Sequence, residues 1–391
     1  MKYFNKNNLI EVINFGKMPM ANNFLKDTKK KIYTYNLKLG YNKKFKLAQI
    51  YDFPKPSNMF NDNYAFISST SKYMKKHFQK LSQKIKKMKK NVSLLEIGSN
   101  DGVFLENFKE YRHLGVEPSK NVYELSKKKG LNVDNSFFDT KYVKKINNNY
   151  EKFNVVFGSN VICHIPNQED LYLSVDKVLS NDGYFIFEEP YLLDMIKKTS
   201  YDQLYDEHIY IFSLCSVNLI AKKFGFYLFD AEKTSTHGGS MRYYLSKKKL
   251  NKTKRLKNYI KSEKKFKIDN ISSLKKFAES CQKNKEKFFN KISDLAKKKE
   301  TIYGFGATSK STTILNFCKI NKNHIKMIFD NSKTKINKFT PLTNIPIVNS
   351  KKFFKTKVNY CVLFAWNHHK EIFSKIKGSK KHFGDYKKYI L

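Results

Sequence analysis

The chain has 391 residues, of which 40% are hydrophobic and 15% aromatic; this is enough to bury the cores of two or three domains and too apolar for a disordered polymer. Its formal net charge of +42 comes almost entirely from lysine, since the only arginines are Arg112, Arg242 and Arg255. Because specific contacts to nucleic acid favour the planar fork of arginine, and the lysines are spread along the chain, we predict no specific nucleic-acid partner.

Two further features of the composition bear on location and on metal content. No stretch approaches eighteen apolar residues, and the first residues lack the apolar core of a signal peptide, so we expect a cytoplasmic protein without a membrane partner. The cysteines are widely spaced and form no C-x-x-C pair, which favours small core residues over a disulfide framework or a zinc site. They are Cys163, Cys215, Cys281, Cys318 and Cys361.

Residues 1–70 predict a small N-terminal unit. Alternating apolar residues at 9–13 and 35–39 indicate two strands with one buried face each. A helix with apolar residues at helical spacing follows, and Ser69 or Ser71 is placed to cap it. The hydroxyls and aromatic rings just before this helix could equally line a polar pocket.

Residues 92–118 predict a ligand-binding turn that opens an α/β domain. An apolar run breaks into the turn 98–102, and a helical pattern then continues through Phe108. A second short strand ends at Glu117, whose carboxylate is placed to accept the hydroxyls of a ribose. The E-x-G-x-x-x-G turn with this distal acid resembles the S-adenosylmethionine site of class I methyltransferases, and an ordinary βα turn is the alternative. That resemblance implies cofactor contacts from Glu96, Gly98, Asn100, Asp101 and Glu117.

Strand and helix patterns continue to alternate up to residue 190. Further strands are predicted at 131–133, 153–160 and 184–190. Phe138 follows the first of these, where its ring could hold an adenine, and Asn160 ends the second. Such alternation predicts a mostly parallel sheet, in which ligands bind at the carboxyl ends of the strands.

Residues 248–391 predict a second, smaller α/β unit behind a lysine-rich helical stretch. Apolar residues at helical spacing between Ile271 and Leu295 indicate one buried face on that stretch. A second strand-turn-helix pattern occupies 301–310, and short strands are predicted at 326–329, 345–348 and 360–365. The two similar turns suggest two nucleotide-sized sites in one chain.

Seven motifs in a fixed order resemble the sugar-nucleotide C-methyltransferases that build branched deoxysugars, and they extend over nearly the whole chain. They are PMAN at 19–22, YAFISSTS at 64–71, EIGSNDG at 96–102, GVEP at 115–118, YDEHIY at 205–210, HGGSMR at 237–242 and GFGATSK at 304–310. The resemblance implies an α/β fold in three parts. These are an N-terminal domain at 1–70, a Rossmann-like class I methyltransferase domain at 71–247, and a C-terminal α/β nucleotide-binding domain at 248–391.

The chain departs from that family at two places. Family members usually hold a structural zinc on four cysteines of the N-terminal domain, whereas residues 1–70 contain no cysteine, so we expect no zinc. Because such zinc normally folds its own small domain, its loss bears on the stability of that domain more than on the chemistry. Phe66 also stands where an aromatic hydroxyl is common in the family.

Methylation of a carbon next to a ketone requires a base and a donor for the enolate oxygen. Tyr205, Glu207 and His208 supply these groups within four residues, and the resemblance implies that they remove the proton. His208 titrates near neutrality and suits the base, Glu207 could orient or charge it, and Tyr205 could donate to the enolate or pass on the proton. A core-facing aromatic run is the alternative. His164 could be a second acid or base, or could cap the following helix.

The resemblance implies that the nucleoside diphosphate of a sugar substrate binds to the motif at 304–310. The motif at 237–242 and the strand tip at Asp330 could supply further contacts. The predicted contacts are His237, Gly238, Ser240, Arg242, Gly304, Gly306, Ala307, Thr308, Lys310 and Asp330. The fork of Arg242 suits a phosphate or carboxylate, with a Gly-Gly hairpin turn as the alternative. Competing functions are methylation of oxygen or RNA, and a non-catalytic sugar-nucleotide binding module. The sequence leaves the sugar, the carbon, the nucleotide and the oligomeric state open.

Overall fold

The alternating patterns of the sequence form three β-sheets in the computed structural model, which describes residues 4–62, 64–146, 151–369 and 372–373. Within those ranges the strands are β1 (Leu9–Pro19), β2 (Thr34–Asn42), β3 (Leu47–Ile50), β4 (Ser93–Ile97), β5 (Arg112–Val116), β6 (Val133–Asp134), β7 (Phe153–Ser159), β8 (Leu179–Pro190), β9 (Tyr210–Ile211), β10 (Tyr227–Thr234), β11 (Ser240–Ser246), β12 (Ile302–Phe305), β13 (Ile328–Asp330), β14 (Ile347–Asn349) and β15 (Tyr360–Leu363).

The helices form where apolar residues recur at helical spacing. They are α1 (Pro56–Met59), α2 (Lys72–Met88), α3 (Lys120–Lys128), α4 (Thr140–Ile146), α5 (Gln168–Val178), α6 (Leu192–Lys198), α7 (Leu214–Lys223), α8 (Lys254–Phe266), α9 (Ile271–Lys297) and α10 (Ser309–Phe317). The Ser71 hydroxyl accepts a hydrogen bond from the Met74 N–H at 3.3 Å, so the prediction that this serine caps α2 is confirmed.

The N-terminal sheet has the strand order β1-β2-β3-β9 and is antiparallel throughout. Its last strand, β9, begins at the final residue of the motif at 205–210 and pairs Ile211 with Ala48 and Tyr210 with Gln49. Buried apolar side chains such as Leu37, Leu39 and Leu47 line the sheet. Apolar packing and the added strand therefore stabilise this unit, which contains no cysteine, and they fix the motif at 205–210 against it.

The central sheet has seven strands in the order β10-β11-β8-β7-β4-β5-β6. The five strands from β8 to β6 are parallel, while β11 pairs antiparallel with both β8 and β10. This is the mostly parallel sheet that the alternation predicted. The strand predicted at 131–133 is shorter and later than expected, since it forms only over β6.

The prediction of a helix directly after the turn at 98–102 is wrong. The structure has only a 3₁₀ segment there, Leu105–Phe108, and the chain enters β5 soon afterwards at Arg112. Phe104, Leu105 and Phe108 are all fully buried, so the apolar spacing reflects a tight turn packed on the sheet rather than a helix face. No α-helix therefore begins directly after this turn.

The C-terminal part follows the predicted order. The apolar stripe of α9 is buried at Leu274, Phe277, Cys281, Phe288 and Ile292, as its spacing predicted. The third sheet, in the order β14-β13-β12-β15, is parallel throughout. Its first strand, β12, leads through the motif at 304–310 into α10, so a strand, a turn and a helix form here as expected.

A single hydrophobic cluster contains residues of all three sheets, among them Ile13, Phe185 and Ile328. This shared core holds the sheets in fixed positions around the space between them. Among the helices within the described ranges, none is both long enough and apolar enough to cross a membrane.

Candidate active site

Two adjoining cavities lie between the sheets. The smaller, the sheet-edge cavity of about 550 Å³, lies at the carboxyl ends of β4, β5 and β7. The larger, the central cleft of about 880 Å³, extends from there to the third sheet. Both cavities are lined by Tyr64, Phe66, Met74, Asn160, His164 and His237, which therefore form a shared wall.

Five of the predicted cofactor residues line the sheet-edge cavity, namely Gly98, Asn100, Glu117, Phe138 and Asn160. Gly98 has a φ of +66°, and a Cβ there would lie 2.6 Å from a methyl of Val161, so only glycine fits. The Glu117 carboxylate accepts hydrogen bonds from the backbone N–H groups of Asn100 at 2.9 Å and Ser119 at 2.8 Å. These bonds hold the acid at the rim of the cavity, where the sequence placed it.

The other two predicted cofactor residues lie outside the lining of this cavity. Glu96 is buried, and burial raises the pKa of its carboxyl well above the usual range. Asp101 accepts hydrogen bonds from the Lys129 ammonium at 3.1 Å and from the Ser69 N–H at 3.3 Å. Asp101 therefore ties the turn to the loop before α2. A cofactor contact of Glu96 or Asp101 stays a prediction.

Tyr205 and His208 form a buried pair on a turn, not on a helix. The Tyr205 hydroxyl lies 2.7 Å from His208 Nε2, and His208 Nδ1 lies 2.7 Å from the carbonyl oxygen of Gln203. Because a carbonyl only accepts, Nδ1 carries the proton, and Nε2 of the neutral ring accepts from the tyrosine. Both side chains line the central cleft.

The expectation that His208 titrates near neutrality is wrong for this structure. Burial lowers the pKa of His208 well below its usual value, the neighbouring His164, His237 and Lys310 lower it further, and the hydrogen bond to the Gln203 carbonyl opposes part of the shift. The ring is therefore neutral, with an available lone pair at Nε2. An anion bound near Lys310 would oppose part of this shift.

Within the described part of the chain, the Glu207 carboxylate forms no hydrogen bond or ion pair with the His208 ring, contrary to the expected orienting role. Its carboxylate accepts hydrogen bonds from Asn22 Nδ2 at 2.7 Å and from the Tyr64 hydroxyl at 3.2 Å. Burial raises the pKa of Glu207, and the bonds from Asn22 and Tyr64 and the charge of Lys335 oppose that rise. Glu207 therefore faces the cleft as a separate carboxylate, held by the N-terminal unit.

His164 lies on the shared wall, within the 3₁₀ segment Ile162–His164. Its ring stacks between those of Phe60 and His208, with centroids at 5.6 and 5.4 Å. Burial lowers the pKa of His164 to about 3, so the ring is neutral. The alternative that it caps α5 is wrong, because the Asn167 side chain accepts the capping bond from the Asp170 N–H.

Cys163, His164 and His208 place one donor atom each within 4.8 Å of one another. The two imidazole rings are nearly parallel, at 19°, so their lone pairs run side by side and do not converge on one point. Burial also raises the pKa of the Cys163 thiol well above its usual range. This arrangement does not suit a metal ion, which needs deprotonated and convergent ligands.

The motif at 237–242 contributes its turn to the cleft but not its arginine. His237 and Gly238 line the cleft, and Gly238 has a φ of +90° with Trp366 packed against it. Ser240 is buried and donates to the Thr236 carbonyl. Arg242 lies outside the lining of both cavities.

The Arg242 guanidinium donates to Glu188 at 2.6 Å and to Glu232 at 2.9 Å. Its planar fork therefore binds carboxylates of the protein, and it stabilises the edge of the central sheet. The structure does not place Arg242 where it could meet a phosphate in the cleft. The sequence predicted that the fork of Arg242 binds an anion. It does so, but the anions are the carboxylates of Glu188 and Glu232 and not a ligand.

The motif at 304–310 brings only its last part to the cleft. Thr308, Ser309 and Lys310 line it at the start of α10. Gly304 and Gly306 instead make room for Phe364 and Ala365, the nearest side chains that a Cβ would meet.

The Ala307 N–H is also engaged, because it donates to the Asp330 carboxylate at 2.7 Å. Asp330 accepts from the Ser332 N–H as well, at 2.7 Å. Asp330 therefore organises this turn, and neither Ala307 nor Asp330 lines the cleft. Ligand contacts of Gly304, Gly306, Ala307 and Asp330 stay predictions.

Four lysines line the cleft. Lys233 pairs with Asp194 at 2.7 Å, and the ammonium groups of the other three are each held by a backbone carbonyl. Lys198 donates to the Gly238 carbonyl, Lys310 to that of His237 at 2.9 Å and Lys335 to that of Ala307 at 2.8 Å. Across the described part of the chain, none of the three forms an ion pair within 4.0 Å. The cleft thus presents positive charge to a ligand.

Sequence reasoning missed several cleft residues. Lys198 and Lys335 have no motif signal in a lysine-rich chain. Tyr64 and Asn22 lie in motifs that were noted, but neither was assigned a contact. Trp366 lines the cleft, and the centre of its ring lies 5.0 Å from the Lys310 ammonium. It is the only tryptophan of the chain, and this rarity is the one sequence signal that could have indicated it.

Comparison with known proteins gives two family matches that together span most of the chain. Residues 66–230 match the family described as methyltransferase domain. Residues 235–389 match the family described as C-methyltransferase C-terminal domain.

Individual relatives are more distant. The C-methyltransferase NovU of Streptomyces niveus is 24% identical over 372 residues, which cover 93% of this chain and 88% of that protein. Among solved structures, a possible histamine N-methyltransferase of Thermotoga maritima is 20% identical and has a TM-score of 0.34, over 45% of this chain and 92% of its own. The magnesium protoporphyrin IX methyltransferase of Synechocystis PCC 6803 is 11% identical with a TM-score of 0.35, over 44% of this chain and 82% of its own.

Proposed function

Since this chain joins a methyltransferase domain to the C-terminal domain of the C-methyltransferases, we propose that it methylates a carbon of a nucleoside-diphosphate-linked keto-deoxysugar. The two family matches confirm the predicted fold class, the methyltransferase activity and S-adenosylmethionine as the cofactor. The sugar, the nucleotide and the enolate mechanism are the proposal.

The sheet-edge cavity fits the methyl donor. Glu117 is placed for the ribose hydroxyls, Phe138 for the adenine, and Gly98 lets the backbone line the cavity without a side chain. When bound there, S-adenosylmethionine supplies a methyl group on a positively charged sulfur, which is electrophilic. The protein has to orient the partners and exclude water.

The observation that carries the proposal is the shared wall between the two cavities. His164 and Asn160 line both, and the His164 ring stacks on His208 at 5.4 Å. A donor in the sheet-edge cavity and a substrate in the central cleft would therefore meet beside the Tyr205–His208 pair. A base at this point suits methylation of carbon, because carbon must lose a proton first.

The cleft lysines that are held only by backbone carbonyls support an anionic substrate. A diphosphate carries charges that Lys198, Lys310 and Lys335 can bind, and the cleft of about 880 Å³ has room for a nucleoside, a diphosphate and a sugar. The relative NovU is named a C-methyltransferase, in agreement with a carbon acceptor. The start of α10, with Thr308 and Lys310, is the proposed position of the diphosphate.

The proton step uses the Tyr205–His208 pair. The C–H bond beside the ketone breaks, its electrons form the enolate, and the proton reaches His208 Nε2 through the Tyr205 hydroxyl, which accepts one proton as it gives up its own. Burial is the main cause of the low pKa of His208, and a diphosphate beside Lys310 opposes only the part of the shift that the Lys310 charge causes.

Two measurements test this function. Purified protein is incubated with methyl-labelled donor and a panel of thymidine- and uridine-diphosphate 4-keto-6-deoxyhexoses; label on carbon is expected, and its absence across the panel argues against the function. Without donor, the proton next to the ketone should exchange with heavy water in the wild type and not in His208→Ala. Normal exchange in that variant would remove His208 as the base.

The limits of the three domains and the cytoplasmic location stay predictions. The alternatives of oxygen or RNA methylation, and of a non-catalytic module, gain no support from any contact in the cleft. RNA binding would have to survive raised salt, whereas scattered lysines give binding that falls steeply with salt.

A further inference from the structure

The motif at 19–22, for which no role was predicted, lies against the predicted catalytic segment at 205–208. Ala21 N–H donates to the Asp206 carboxylate at 2.9 Å, and the Ala21 carbonyl accepts from the Thr312 hydroxyl at 2.8 Å. Asn22, the next residue, lines the cleft. The N-terminal loop is therefore fixed on both sides, between the catalytic segment and α10.

The Asn22 amide joins two groups of the cleft. Its Nδ2 donates to Glu207 at 2.7 Å, and its Oδ1 accepts from the Ser309 hydroxyl at 3.0 Å. This bond from Ser309 sets the orientation of the amide, because it fixes the oxygen on the α10 side and leaves the NH₂ group toward the carboxylate.

We propose that Asn22 and Ser309 are positioning residues for Glu207: the Ser309 hydroxyl orients the Asn22 amide, and the amide NH₂ group aims the Glu207 carboxylate into the cleft. The kinetic test of this inference rests on the proposed function. Glu207 thereby faces the same cleft as Tyr205 and His208 without a hydrogen bond to the imidazole.

Charged and titratable groups surround Glu207 from several elements. Those that face it are Tyr35, Tyr64, Cys163, Tyr205, Asp206 and Lys335. Asp206 is a second buried carboxyl, and burial followed by the charge of Glu207 raises the pKa of Asp206 to about 8. Next to such a neighbour, a donor on Glu207 decides which of the two acids holds the proton.

The test compares Asn22→Ala with Asn23→Ala, a neighbour whose side chain lies outside the cleft lining. The rate of donor-free proton exchange is measured from pH 5 to 9 on the thymidine-diphosphate 4-keto sugar that the wild type accepts. For Asn22→Ala we expect kcat to fall about 10- to 100-fold with KM within about threefold. Loss of the amide donor raises the pKa of Glu207, so an acid limb set by that carboxylate should move to higher pH. Asn23→Ala should behave as wild type.

Ser309 provides the second variant. Ser309→Ala should lower kcat about 10-fold, and Ser309→Thr should restore it, because threonine keeps the hydroxyl at the first residue of α10. The inference is overturned if Asn22→Ala keeps the kcat and the acid limb of the wild type. It is also overturned if the acid limb of Asn22→Ala does not move and Asn23→Ala loses as much kcat as Asn22→Ala does.

A substrate-free measurement separates this inference from the proposed function. In protein labelled with ¹³C at glutamate carboxyls, the Glu207 signal, assigned with Glu207→Gln, should titrate at higher pH in folded Asn22→Ala than in wild type. An unchanged titration overturns the inference even if no sugar is ever turned over. A shifted titration supports it even if the panel of sugars fails, in which case only the proposed function falls.

Discussion

Tyr205→Phe removes one hydroxyl from the buried pair and should separate catalysis from stability. The phenol donates its proton to His208 Nε2 at 2.7 Å, and the variant leaves that nitrogen without a partner. A lost buried hydrogen bond of this kind costs about 1–3 kcal/mol. Because Tyr205 and His208 line a cleft of about 880 Å³, water can reach the nitrogen, and we expect the low end, about 1 kcal/mol.

The catalytic effect should be much larger than the effect on stability. Removing a positioned acid or base typically slows a reaction by about 10²- to 10⁴-fold, which corresponds to about 3–5 kcal/mol of barrier. A stability loss of about 1 kcal/mol lowers the melting temperature of a chain this large by only about 2 °C. The variant should therefore be folded and nearly inactive.

The assay is donor-free exchange of the proton beside the ketone, followed by proton NMR in heavy water, together with thermal unfolding. Tyr210→Phe is the matched control: that buried phenol donates to the Pro166 carbonyl at 2.6 Å and lies outside both cavities. It should lose similar stability and keep its exchange rate. Exchange within threefold of wild type in Tyr205→Phe, or an equal loss in Tyr210→Phe, would refute the reasoning.

Four further predictions follow from the site. Gly238→Ala should lower the melting temperature, measured by calorimetry, because its Cβ would lie 2.4 Å from Trp366 at a φ of +90°. Glu117→Gln should weaken binding of S-adenosylmethionine about 10-fold or more by calorimetry, with nucleotide binding unchanged. Burial lowers the pKa of Lys310 to about 8, so affinity for thymidine diphosphate should fall as pH rises through 8, and this fall should be absent in Lys310→Met. Burial lowers the pKa of His164 to about 3, so its neutral form stabilises the fold above pH 6.5 and that contribution is lost toward pH 3; His164→Phe should flatten the acid dependence of the urea midpoint.

Much of the fold was predictable because local pattern determines it. The alternation of short apolar runs with helical spacing predicted the central parallel strands, and the stripe of α9 predicted its buried face. The pattern failed after Gly102, where Phe104, Leu105 and Phe108 have helical spacing but form a 3₁₀ turn. Spacing cannot show how soon the chain must return to the next strand.

The candidate site was predictable to the extent that residue types cluster in the sequence. Tyr205 and His208 are three residues apart, and they do form a hydrogen-bonded pair in the cleft. Arg242 was misplaced because the carboxylates that bind it, on other strands, are distant in sequence. The low pKa of His208 was also missed, since it follows from burial and from three cationic or titratable neighbours that only folding brings near.

The sequence by itself determined the class of fold, the methyl-donor turn and the cluster of a tyrosine, a glutamate and a histidine, because each depends on residues that are close along the chain. Only the tertiary structure decided which groups meet. It placed Asn22 of the N-terminal loop on Glu207, Ser309 of α10 on Asn22, and four lysines from separate parts of the chain in one cleft. The physical reason is that hydrogen bonds and charges act over a few ångströms in space, whatever the separation of the residues in sequence.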